Sequence, residues 1–529
     1  MSGLSIFDHN SSPPRWEFPH PYNAAYDLIE RNLVAGHGPK IAYIDDTGSY
    51  TYEEFAARVN RCASMFAGSA VAQESRVMVC MHDTIDYPTV LLGAIKAGLV
   101  PIPTNTMLRP RDYAFLLAHS NARILVATED ILPKFESAIE AGTALKQIIV
   151  AGTKRHNYPV LADLLRDGTE QFQAVATSPD AMCFWLYTSG STGQPKAVVH
   201  LHSHIMLTAE LYARSVLGLN NRDLTFSSAK LFFTYGFGAS LSFPLAVGAG
   251  TVLMGERPTP EAVFKRLTEL KPTVFYAVPT LYAAMLASPV LPPRSQVKLR
   301  FGVSAGEALS PDLGKRWQEH FGTEVLDGCG STEMGHIFLS NRPGELRYGT
   351  SGKPVPGYTV KIVDDEGMPM PVGKIGDLYA SGPTSGIMYW NNREATKQTF
   401  QGPWTRTGDK YFVDQDGYYV YAGRSDDMLK VNGQYVSPFE IEAALMAHPD
   451  VLEAAVVGIA DRNGLIKPKA YVVLKNPATS TDGMANALKH HVKGMLAPFK
   501  YPRVVEFVAE LPKTPTGKIQ RFKLRPRAD

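Results

Sequence analysis

Apolar and polar positions alternate along the first third of the chain with the periods of helices and buried strands. Helical spacing of apolar residues predicts helices over residues 23–33, 51–67, 86–97 and 110–120. Short apolar runs predict strands over residues 76–81 and 123–127, and glycine and proline stand at the joints. Alternation of strands and helices with short joints is typical of a parallel α/β sheet.

The same strand–helix unit repeats in the middle of the chain. Apolar runs predict strands over residues 251–254, 273–277 and 300–304, and helical spacing predicts helices over residues 204–217, 260–270 and 279–286. Beyond Gly344 the pattern changes to short strands punctuated by glycine, over residues 359–363, 376–380 and 418–421. We therefore expect a small β-barrel or sheet attached to a body of parallel α/β subdomains.

A dense polar break follows at residues 423–427, after which a new compact unit begins. Its pattern predicts helices over residues 438–446 and 484–496 and strands over residues 451–459, 469–474 and 504–508. This is the pattern of a small α+β domain. We predict an α/β protein of two domains, a large N-terminal body of residues 1–424 and a smaller C-terminal domain of residues 425–529.

Composition and charge narrow the class of protein. A chain of 529 residues is too long for a single core, and its 53 basic and 51 acidic residues give a net charge of +2. This balance argues against nucleic acid or an anionic membrane as partner. The four cysteines are scattered without metal-ligand spacing, and no apolar run reaches the roughly 20 residues that a bilayer requires. With no signal-peptide pattern at the start, we expect a cytoplasmic enzyme.

One stretch has the composition of a phosphate-binding loop. Its nine residues are Thr188, Ser189, Gly190, Ser191, Thr192, Gly193, Gln194, Pro195 and Lys196, between two apolar runs. Glycines let successive backbone N–H groups point at one anion, and hydroxyls and a lysine add donors and charge. It differs from the common NTPase loop because its lysine stands three residues beyond the last glycine. The alternative is a solvated turn between two strands.

Four further clusters share this polar, glycine-bearing character. They cover residues 304–307, 327–333, 405–409 and 511–518. The second gathers Asp327, Gly328, two hydroxyls and Glu333, which suits a nucleotide phosphate with Mg²⁺. Each of these clusters also has a simpler interpretation, a structural turn or, for Lys518, solvated surface.

Together these motifs resemble those of the adenylate-forming superfamily, which contains acyl-CoA synthetases, luciferases and peptide-synthetase adenylation domains. The resemblance is carried in order by residues 188–196, 330–333, 406–409, 423–426 and 515–518, and it extends from about Tyr43 to Arg521. Within the superfamily, residues 232–236 and 331–338 are similar to those of the benzoate and hydroxybenzoate CoA ligases, with the benzoate ligases the most similar.

The resemblance implies a role for each matching residue. It implies that residues 188–196 bind the β- and γ-phosphates, that Thr332 binds the α-phosphate and that Glu333 meets Mg²⁺. It likewise implies a mobile C-terminal domain, with a hinge at Asp426 and a catalytic lysine at Lys518. The remaining cofactor-binding positions that it implies are Ala305, Gly306, Glu307, Asp327 and Gly328 for adenine and phosphate, Asp409 and Arg424 for ribose, and Gly433 for the pantetheine arm.

The implied reaction has two halves, in which a carboxylate attacks ATP and the thiol of coenzyme A then displaces AMP. Cys329 stands where many members have an aromatic residue that stacks on adenine, so this stacking must be weaker or come from elsewhere. Small and flat residues predict an aromatic acid as substrate, and they are Ala229, Phe233, Tyr235, Ala305, Gly330, His336 and Ile337. Their alternative interpretation is plain core.

Other interpretations stay open at this point. The acid could be a hydroxy- or aminobenzoate or another small carboxylic acid. The chain could instead load a carrier protein, or bind nucleotide without catalysis; Lys196, Glu333 and Lys518 together argue against the last. The implied small-molecule partners are the aryl carboxylate, ATP and coenzyme A, and a homodimer is compatible with the sequence.

Overall fold

A computed structural model describes residues 3–11, 14–153, 157–189, 194–425, 427–431, 434–460, 466–496, 500–513 and 519–525. Within these residues, α-helices and parallel sheets dominate, so the predicted α/β class is confirmed. The α-helices of the N-terminal part are Ala24–Val34, Tyr52–Ala67, Asp86–Lys96, Pro110–Ser120, Glu136–Glu140, Leu161–Asp167, His202–Thr208, Thr234–Phe237, Phe243–Val247, Pro260–Glu269, Pro279–Leu286, Pro311–Phe321 and Arg393–Thr399.

The first sheet has four parallel strands. In spatial order these are Val100–Pro103, Arg76–Cys80, Ile124–Thr128 and Gln147–Ala151. The helix that precedes the Arg76 strand begins after Thr51, whose side chain accepts from the backbone of Glu54 while the Glu54 side chain accepts from the backbone of Thr51. This reciprocal pair of bonds fixes the start of the helix at the residue that the sequence predicts.

The second sheet is the largest and carries most of the candidate site residues at its edge. In spatial order its nine strands are Lys353–Pro354, Ile337–Ser340, Glu324–Gly330, Phe301–Ser304, Val274–Ala277, Leu224–Ser227, Gly250–Val252, Ile41–Asp45 and Gly48–Thr51. The six strands from Glu324–Gly330 to Ile41–Asp45 are parallel, and the outer ones are antiparallel. The carboxyl ends of parallel strands meet at one edge, where ligands of such sheets bind.

A short antiparallel sheet connects the two halves of the body. Its strands are Met388–Tyr389, Pro195–Leu201 and Met182–Ser189, in that order. The helix predicted over residues 204–217 begins earlier, as His202–Thr208, and continues as a π-helix, Ala209–Arg214. Single π-helical turns inside α-helices are frequent at functional sites, and this one packs beside the predicted aryl pocket.

The region predicted as a small β-barrel or sheet is an open sheet and not a barrel. Strands Thr359–Val363, Gly376–Ser381 and Trp404–Val413 pair in this order, and Phe400–Gln401 and Tyr419–Arg424 both pair with the far side of the last. Among the described residues the outer strands do not pair with each other. A barrel needs its first and last strands to pair, so this sheet is open.

The C-terminal part is a separate small α+β unit with its own core. It contains a hairpin of Leu429–Val431 and Gln434–Val436, strands Val451–Ala460, Ile466–Leu474 and Val504–Phe507, and helices Pro438–Met446 and Asp482–Met495. The predicted boundary after residue 424 stays a prediction. In the described part of the chain, no helix has both the length and the apolar character to cross a membrane.

Candidate active site

The described ends of the predicted phosphate loop lie on two paired antiparallel strands, the phosphate hairpin. Strand Met182–Ser189 runs into the loop and strand Pro195–Leu201 leaves it, with Thr188 and Lys196 as cross-strand partners. Lys196 therefore lies on a paired strand close to the loop, and its ammonium is 5.1 Å from the centre of the Tyr389 ring. Residues 190–193 of the loop, Gly190, Ser191, Thr192 and Gly193, lie outside the described residues, as does the side chain of Ser189.

The second predicted motif, residues 331–335, forms a tight turn between two antiparallel strands of the large sheet. The backbone N–H of Ser331 donates to the carbonyl of His336 at 3.3 Å, and that of Gly335 donates to the carbonyl of Thr332 at 3.2 Å. Gly335 has a φ of +74°, a left-handed conformation that glycine adopts without strain. The turn holds Thr332 and Glu333 at the carboxyl edge of the sheet.

Three consecutive carbonyl groups of this turn accept hydrogen bonds from elsewhere in the body. The carbonyl of Thr332 accepts from His200 Nε2 at 2.8 Å, that of Glu333 from the backbone of Gly386 at 2.7 Å, and that of Met334 from Thr384 Oγ1 at 2.7 Å. A turn held at three successive peptide groups has little freedom to move. The side chains of Thr332 and Glu333 are thereby positioned before any substrate arrives.

The side chains of the turn also have partners. Tyr389 Oη donates to Glu333 Oε1 at 2.6 Å, and Thr234 Oγ1 donates to Thr332 Oγ1 at 3.1 Å. Burial and the adjacent Glu333 carboxylate raise the pKa of Tyr389, so the phenol keeps its proton at neutral pH. The same tyrosine ring lies beneath Lys196, so the phosphate hairpin and the Glu333 turn meet at Tyr389.

Two buried histidines support the turn from behind. His200 Nδ1 lies 3.0 Å from His204 Nδ1, and the His200 ring stacks on Phe184 with 5.0 Å between centres. Burial lowers the pKa of His200 to about 4 and that of His204 well below its ordinary value. Both rings are therefore neutral near pH 7. Because the Thr332 carbonyl can only accept, His200 carries its proton on Nε2 and His204 donates to it from Nδ1.

The predicted aryl pocket is an aromatic cluster around His336. The imidazole centre lies 4.4 Å from that of Phe243, 5.6 Å from that of Tyr212 and 5.8 Å from that of Tyr235. A Cβ on Gly238 would lie 2.4 Å from His336 Cδ2, so only glycine lets the imidazole approach this closely. The cluster gives flat walls and a buried nitrogen base.

His336 has one nitrogen with a partner and one without. Its Nε2 donates to the carbonyl of Tyr235 at 3.3 Å, whereas its buried Nδ1 has no hydrogen-bond partner among the described residues. Burial lowers the pKa of His336 to about 3, so Nδ1 is an acceptor at neutral pH. Tyr235 is fixed at its other end, because its hydroxyl donates to the carbonyl of Val303 at 2.9 Å.

The remaining predicted pocket residues lie along the same edge of the sheet. Ala229 and Phe233 follow strand Leu224–Ser227, and Phe233 is half-buried against Phe232 with ring centres 4.4 Å apart. The other three, Ala305, Gly330 and Ile337, lie on or directly after neighbouring strands. A Cβ on Gly330 would lie 2.7 Å from the carbonyl oxygen of His336, so this strand end has room only for glycine.

The predicted adenine side is formed by two neighbouring strand ends. Ser304 and Asp327 are register partners on parallel strands, and both are buried. Burial raises the pKa of Asp327 to about 8, while the nearby Ser304 hydroxyl lowers it, so the carboxyl is protonated at neutral pH. Its Oδ1 has no partner among the described residues, which leaves a buried polar atom for a ligand.

Other predicted positions surround this carboxyl. Gly306 has a φ of +89° directly after the buried Ala305, and Glu307 accepts from Thr280 Oγ1 at 2.8 Å. Gly328 is buried next to Asp327, where an added Cβ would lie 2.9 Å from the carbonyl of Leu339. The backbone beside Asp327 is thus closely packed, and position 328 has room only for glycine.

The predicted ribose carboxylate and its arginine form a cross-strand pair. Asp409 and Arg424 face each other on antiparallel strands, and Arg424 Nη1 donates to Asp409 Oδ1 at 3.0 Å. Asp409 raises the pKa of Arg424, which therefore stays charged. Gly408, with a φ of +75°, turns the chain immediately before Asp409. The pair presents a fixed carboxylate beside the candidate nucleotide site.

Three predicted residues, the hinge Asp426, Gly433 and the lysine Lys518, lie outside the described residues. The neighbours of the hinge are described. Ser425 Oγ donates to Asp377 Oδ1 at 2.9 Å in the N-terminal body, and Asp427 Oδ2 lies 3.9 Å from Arg521 Nη1 in the C-terminal part. Ser425 and Asp427 are thus each tied to a different part of the molecule.

The sequence analysis misses His200, Thr384, Gly386 and Tyr389. A signal exists for two of them, because residues 382–386 repeat the glycine and hydroxyl composition of the recognised clusters. In the described part of the chain, no group of three or more His, Cys, Asp or Glu side chains could hold a metal ion by itself. A cation at Glu333 would take its other ligands from phosphate and water, as Mg²⁺ commonly does.

Comparisons with known proteins agree with this geometry. Residues 30–390 match the model of the AMP-binding enzyme family, and residues 440–518 match its C-terminal domain. The chain is 57% identical to the benzoate--CoA ligase of Thauera aromatica over 99% of this chain and 100% of the relative.

Two solved structures extend the likeness to the fold. A benzoate CoA ligase from Burkholderia xenovorans LB400 superposes with a TM-score of 0.90 at 50% identity, covering 96% of this chain and 100% of that one. An anthranilate CoA ligase, AuaEII, in complex with anthranoyl-AMP superposes with a TM-score of 0.92 at 42% identity, over 96% and 97% of the two chains. The chain belongs to the AMP-binding enzyme family, the adenylate-forming enzymes that the motifs predict.

Proposed function

We propose that the chain is an ATP-dependent ligase that converts benzoate to benzoyl-AMP and pyrophosphate and then to benzoyl-CoA and AMP. The observation that carries this proposal is the buried aromatic cluster around His336 and Tyr235, directly beside the fixed turn of Thr332 and Glu333. The identity to a benzoate--CoA ligase over the whole chain supports the same acid. We place the reaction in the cytoplasm, where ATP and coenzyme A are available.

The shape of the pocket favours a flat, short acid. Tyr235 is held by the Val303 carbonyl, and His336 is packed between Phe243 and Gly238. Among the described residues these contacts fill the space behind Tyr235 and His336 with side chains, and we infer that a long acyl chain does not fit there. The aromatic walls suit a benzene ring because edge and face contacts between rings add to the burial of apolar surface.

The first half-reaction needs control of charge more than proton transfer. An aryl carboxylate has a pKa of about 4, similar to that of Glu, and is already ionised at neutral pH. It must approach the α-phosphorus of a polyanion, so fixed cations and donors decide the rate. In our proposal Lys196 and the loop residues 188–193 bind the β- and γ-phosphates, and the Thr332 hydroxyl binds the α-phosphate.

Glu333 fits the Mg²⁺ that the family implies. It is a half-buried carboxylate on a rigid turn, with one oxygen engaged by Tyr389, and such a site offers the single protein carboxylate that Mg²⁺ often uses alongside phosphates. When bound, Mg²⁺ would neutralise phosphate charge. We propose that Glu333 holds the ion, and that Asp327, Gly328 and residues 305–307 bind adenine.

The second half-reaction depends on the C-terminal part of the chain. We propose that Lys518 neutralises the encounter of carboxylate and phosphate in one domain pose. A rotation at Asp426 then brings Gly433 to the channel for the pantetheine arm of coenzyme A. Asp409, with Arg424, would accept from the ribose hydroxyls. The boundary of the two domains, after residue 424, and a homodimer remain part of the prediction only.

The proposal is tested by measuring pyrophosphate release and thioester formation with benzoate, ATP and coenzyme A. We expect benzoate to support both, and octanoate to support neither above about 1% of that kcat/KM, because the pocket is short. Comparable kcat/KM for octanoate and benzoate would contradict the aryl pocket. Pyrophosphate release without thioester formation from coenzyme A would instead favour loading of a carrier protein.

One observation favours a second substrate class. The buried Nδ1 of His336 is an acceptor without a partner among the described residues, and benzoate has no donor on its ring to satisfy it. A hydroxyl or amino group on the ring would do so. We therefore include hydroxy- and aminobenzoates as alternative acids.

A further inference from the structure

We propose that Tyr389 is a positioning residue that orients the Glu333 carboxylate through its hydroxyl and supports Lys196 through its ring. The inference rests on the proposed function, because it concerns residues that would bind MgATP. It adds a residue to which the sequence motifs assign no role. Three independent contacts carry it: a hydrogen bond, a ring–cation contact and a strand pairing.

Strand pairing explains why Tyr389 meets Lys196. Tyr389 is the cross-strand partner of Val198 in the short antiparallel sheet, and Lys196 precedes Val198 by two residues. Residues two apart on a strand share a face, so Lys196 is the diagonal neighbour of Tyr389. The ammonium lies 5.1 Å from the ring centre, within the range of a cation–π contact. The register of the sheet therefore sets this contact.

The hydroxyl of Tyr389 binds the carboxylate of Glu333. Tyr389 Oη donates to Glu333 Oε1 at 2.6 Å, a short charge-assisted hydrogen bond. The backbone of Glu333 is held by Gly386, which lies three residues before Tyr389 in the same segment. With its carbonyl and one carboxylate oxygen both held, the side chain can turn only Oε2 towards a cation.

Residues 384–389 thus link two parts of the candidate site that are far apart in the chain. They hold the Glu333 turn through Thr384, Gly386 and Tyr389, and they pair with the strand that carries Lys196. A carboxylate that is fixed in this way loses little rotational entropy when it binds a cation. Removing the hydroxyl should therefore weaken the binding of magnesium with nucleotide and leave magnesium-free nucleotide binding unchanged.

The test uses Tyr389→Phe, which keeps the ring and removes the hydroxyl. We measure binding of α,β-methylene ATP by calorimetry over a series of Mg²⁺ concentrations, without any acid. We expect the Mg²⁺ midpoint to rise about 10-fold, the scale of one hydrogen bond to a charged group, and magnesium-free affinity to stay within about 2-fold. An unchanged or lower midpoint would overturn the proposal.

Two further variants separate positioning from stability. Tyr52→Phe removes a hydroxyl that donates to the carbonyl of Ala249 at 2.7 Å, away from the candidate site, and should keep the wild-type midpoint. A shift in Tyr52→Phe equal to that in Tyr389→Phe would assign the effect to general loosening. Tyr389→Leu also removes the ring, so its magnesium-free affinity should fall about 3-fold or more below that of Tyr389→Phe. Equal values would overturn the role of the ring.

These measurements do not depend on which acid is the substrate. The wild type could prove inactive with benzoate while Tyr389→Phe still shows the expected rise in its Mg²⁺ midpoint. That result would refute the proposed substrate and leave the inference about Tyr389 intact. If the wild type uses benzoate and Tyr389→Phe keeps the wild-type Mg²⁺ midpoint, the proposed substrate stands and the inference about Tyr389 is refuted.

Discussion

His200 Nε2 lies 2.8 Å from the carbonyl oxygen of Thr332, and the two residues are 132 positions apart in the chain. The bond joins the strand that leaves the phosphate hairpin to the turn that carries Thr332 and Glu333. The Thr332 carbonyl can only accept, so it fixes the proton of His200 on Nε2, and His204 Nδ1 in turn donates to His200 Nδ1. The neutral, buried imidazole of His200 therefore holds two parts of the candidate site at a fixed distance from each other.

This relationship predicts the effect of replacing His200. His200→Phe keeps the stack on Phe184, but it removes the shorter of the two hydrogen bonds to the Thr332 carbonyl and takes the acceptor away from the buried Nδ1–H of His204. An unsatisfied buried donor costs about 1–3 kcal/mol. We expect kcat for pyrophosphate release to fall about 10-fold or more, with KM for benzoate within about 2-fold. His200→Gln retains a donor and should recover most of the rate. Equal losses in both variants, with equal falls in Tm, would mean that His200 only supports the fold.

Replacing Lys518 should separate the two half-reactions. Lys518→Ala removes a cation from the encounter of carboxylate and phosphate, so we expect adenylate formation to fall about 100-fold or more. Thioester formation from supplied benzoyl-AMP should stay within a few-fold of wild type, because that step has no such encounter. Both half-reactions are measured on one preparation. Equal losses in the two would contradict this role.

The proposed rotation at Asp426 predicts a different pattern. Asp426→Pro fixes φ near about −65° and should hold the C-terminal domain in the adenylation pose. Gly433→Leu should block the pantetheine channel by bulk. Both variants should release pyrophosphate at near-normal rates and fail to make benzoyl-CoA. Normal benzoyl-CoA production by both variants would exclude the rotation. If only Gly433→Leu fails to make benzoyl-CoA, the channel is supported and the hinge is at a residue other than Asp426.

Asp327 should make stability depend on pH. Burial raises its pKa to about 8 from 3.8, so between these values the folded chain keeps a proton that the unfolded chain has released. The contribution of this bound proton to the free energy of unfolding is complete below about pH 4. It is lost as the pH rises through 8, by up to about 1.4 kcal/mol per pH unit. Asp327→Asn carries no such proton. The free energy of unfolding, measured with urea at pH 5 to 8, should rise for Asp327→Asn relative to wild type as the pH increases. A difference between the two proteins that is the same at every pH would contradict the raised pKa of Asp327.

His336 predicts a preference among substituted acids. An amino or hydroxyl group that reaches Nδ1 should raise kcat/KM about 3- to 10-fold over a methyl group at the same ring position, the scale of one neutral hydrogen bond. His336→Leu should abolish this ratio. The comparison uses the 2-, 3- and 4-substituted acids, measured by pyrophosphate release. A ratio near one at every position would show that Nδ1 does not face the ring.

Local composition was enough to find the residues that stand in glycine and hydroxyl clusters. Thr332, Glu333, Asp327 and Asp409 could be proposed because each stands in such a cluster. The structure places Thr332 and Glu333 on the turn directly after strand Glu324–Gly330, Asp327 within that strand and Asp409 within strand Trp404–Val413. The residues that suggest the chemistry of these positions are neighbours in the sequence.

Tyr389 and His200 could not be found in this way. Their roles come from strand register and from contacts between distant segments, which the period of apolar residues does not encode. The sequence could not decide between a β-barrel and an open sheet for a related reason, because short glycine-punctuated strands fit both, and the structure has the open sheet. Strand existence is a local property, whereas pairing is not.

The position of strand Ile41–Asp45 in the large sheet has a consequence for biosynthesis. It pairs with Gly250–Val252, with Tyr43 opposite Thr251. At about 5–20 residues per second, a ribosome needs roughly 10–40 s to make the partner after the strand itself has been made. Through this interval one side of the early strand has no neighbour, so a nascent chain stalled before residue 250 exposes a strand edge prone to aggregation. Ribosome pausing in this region should therefore lower the yield of folded protein more than pausing after it.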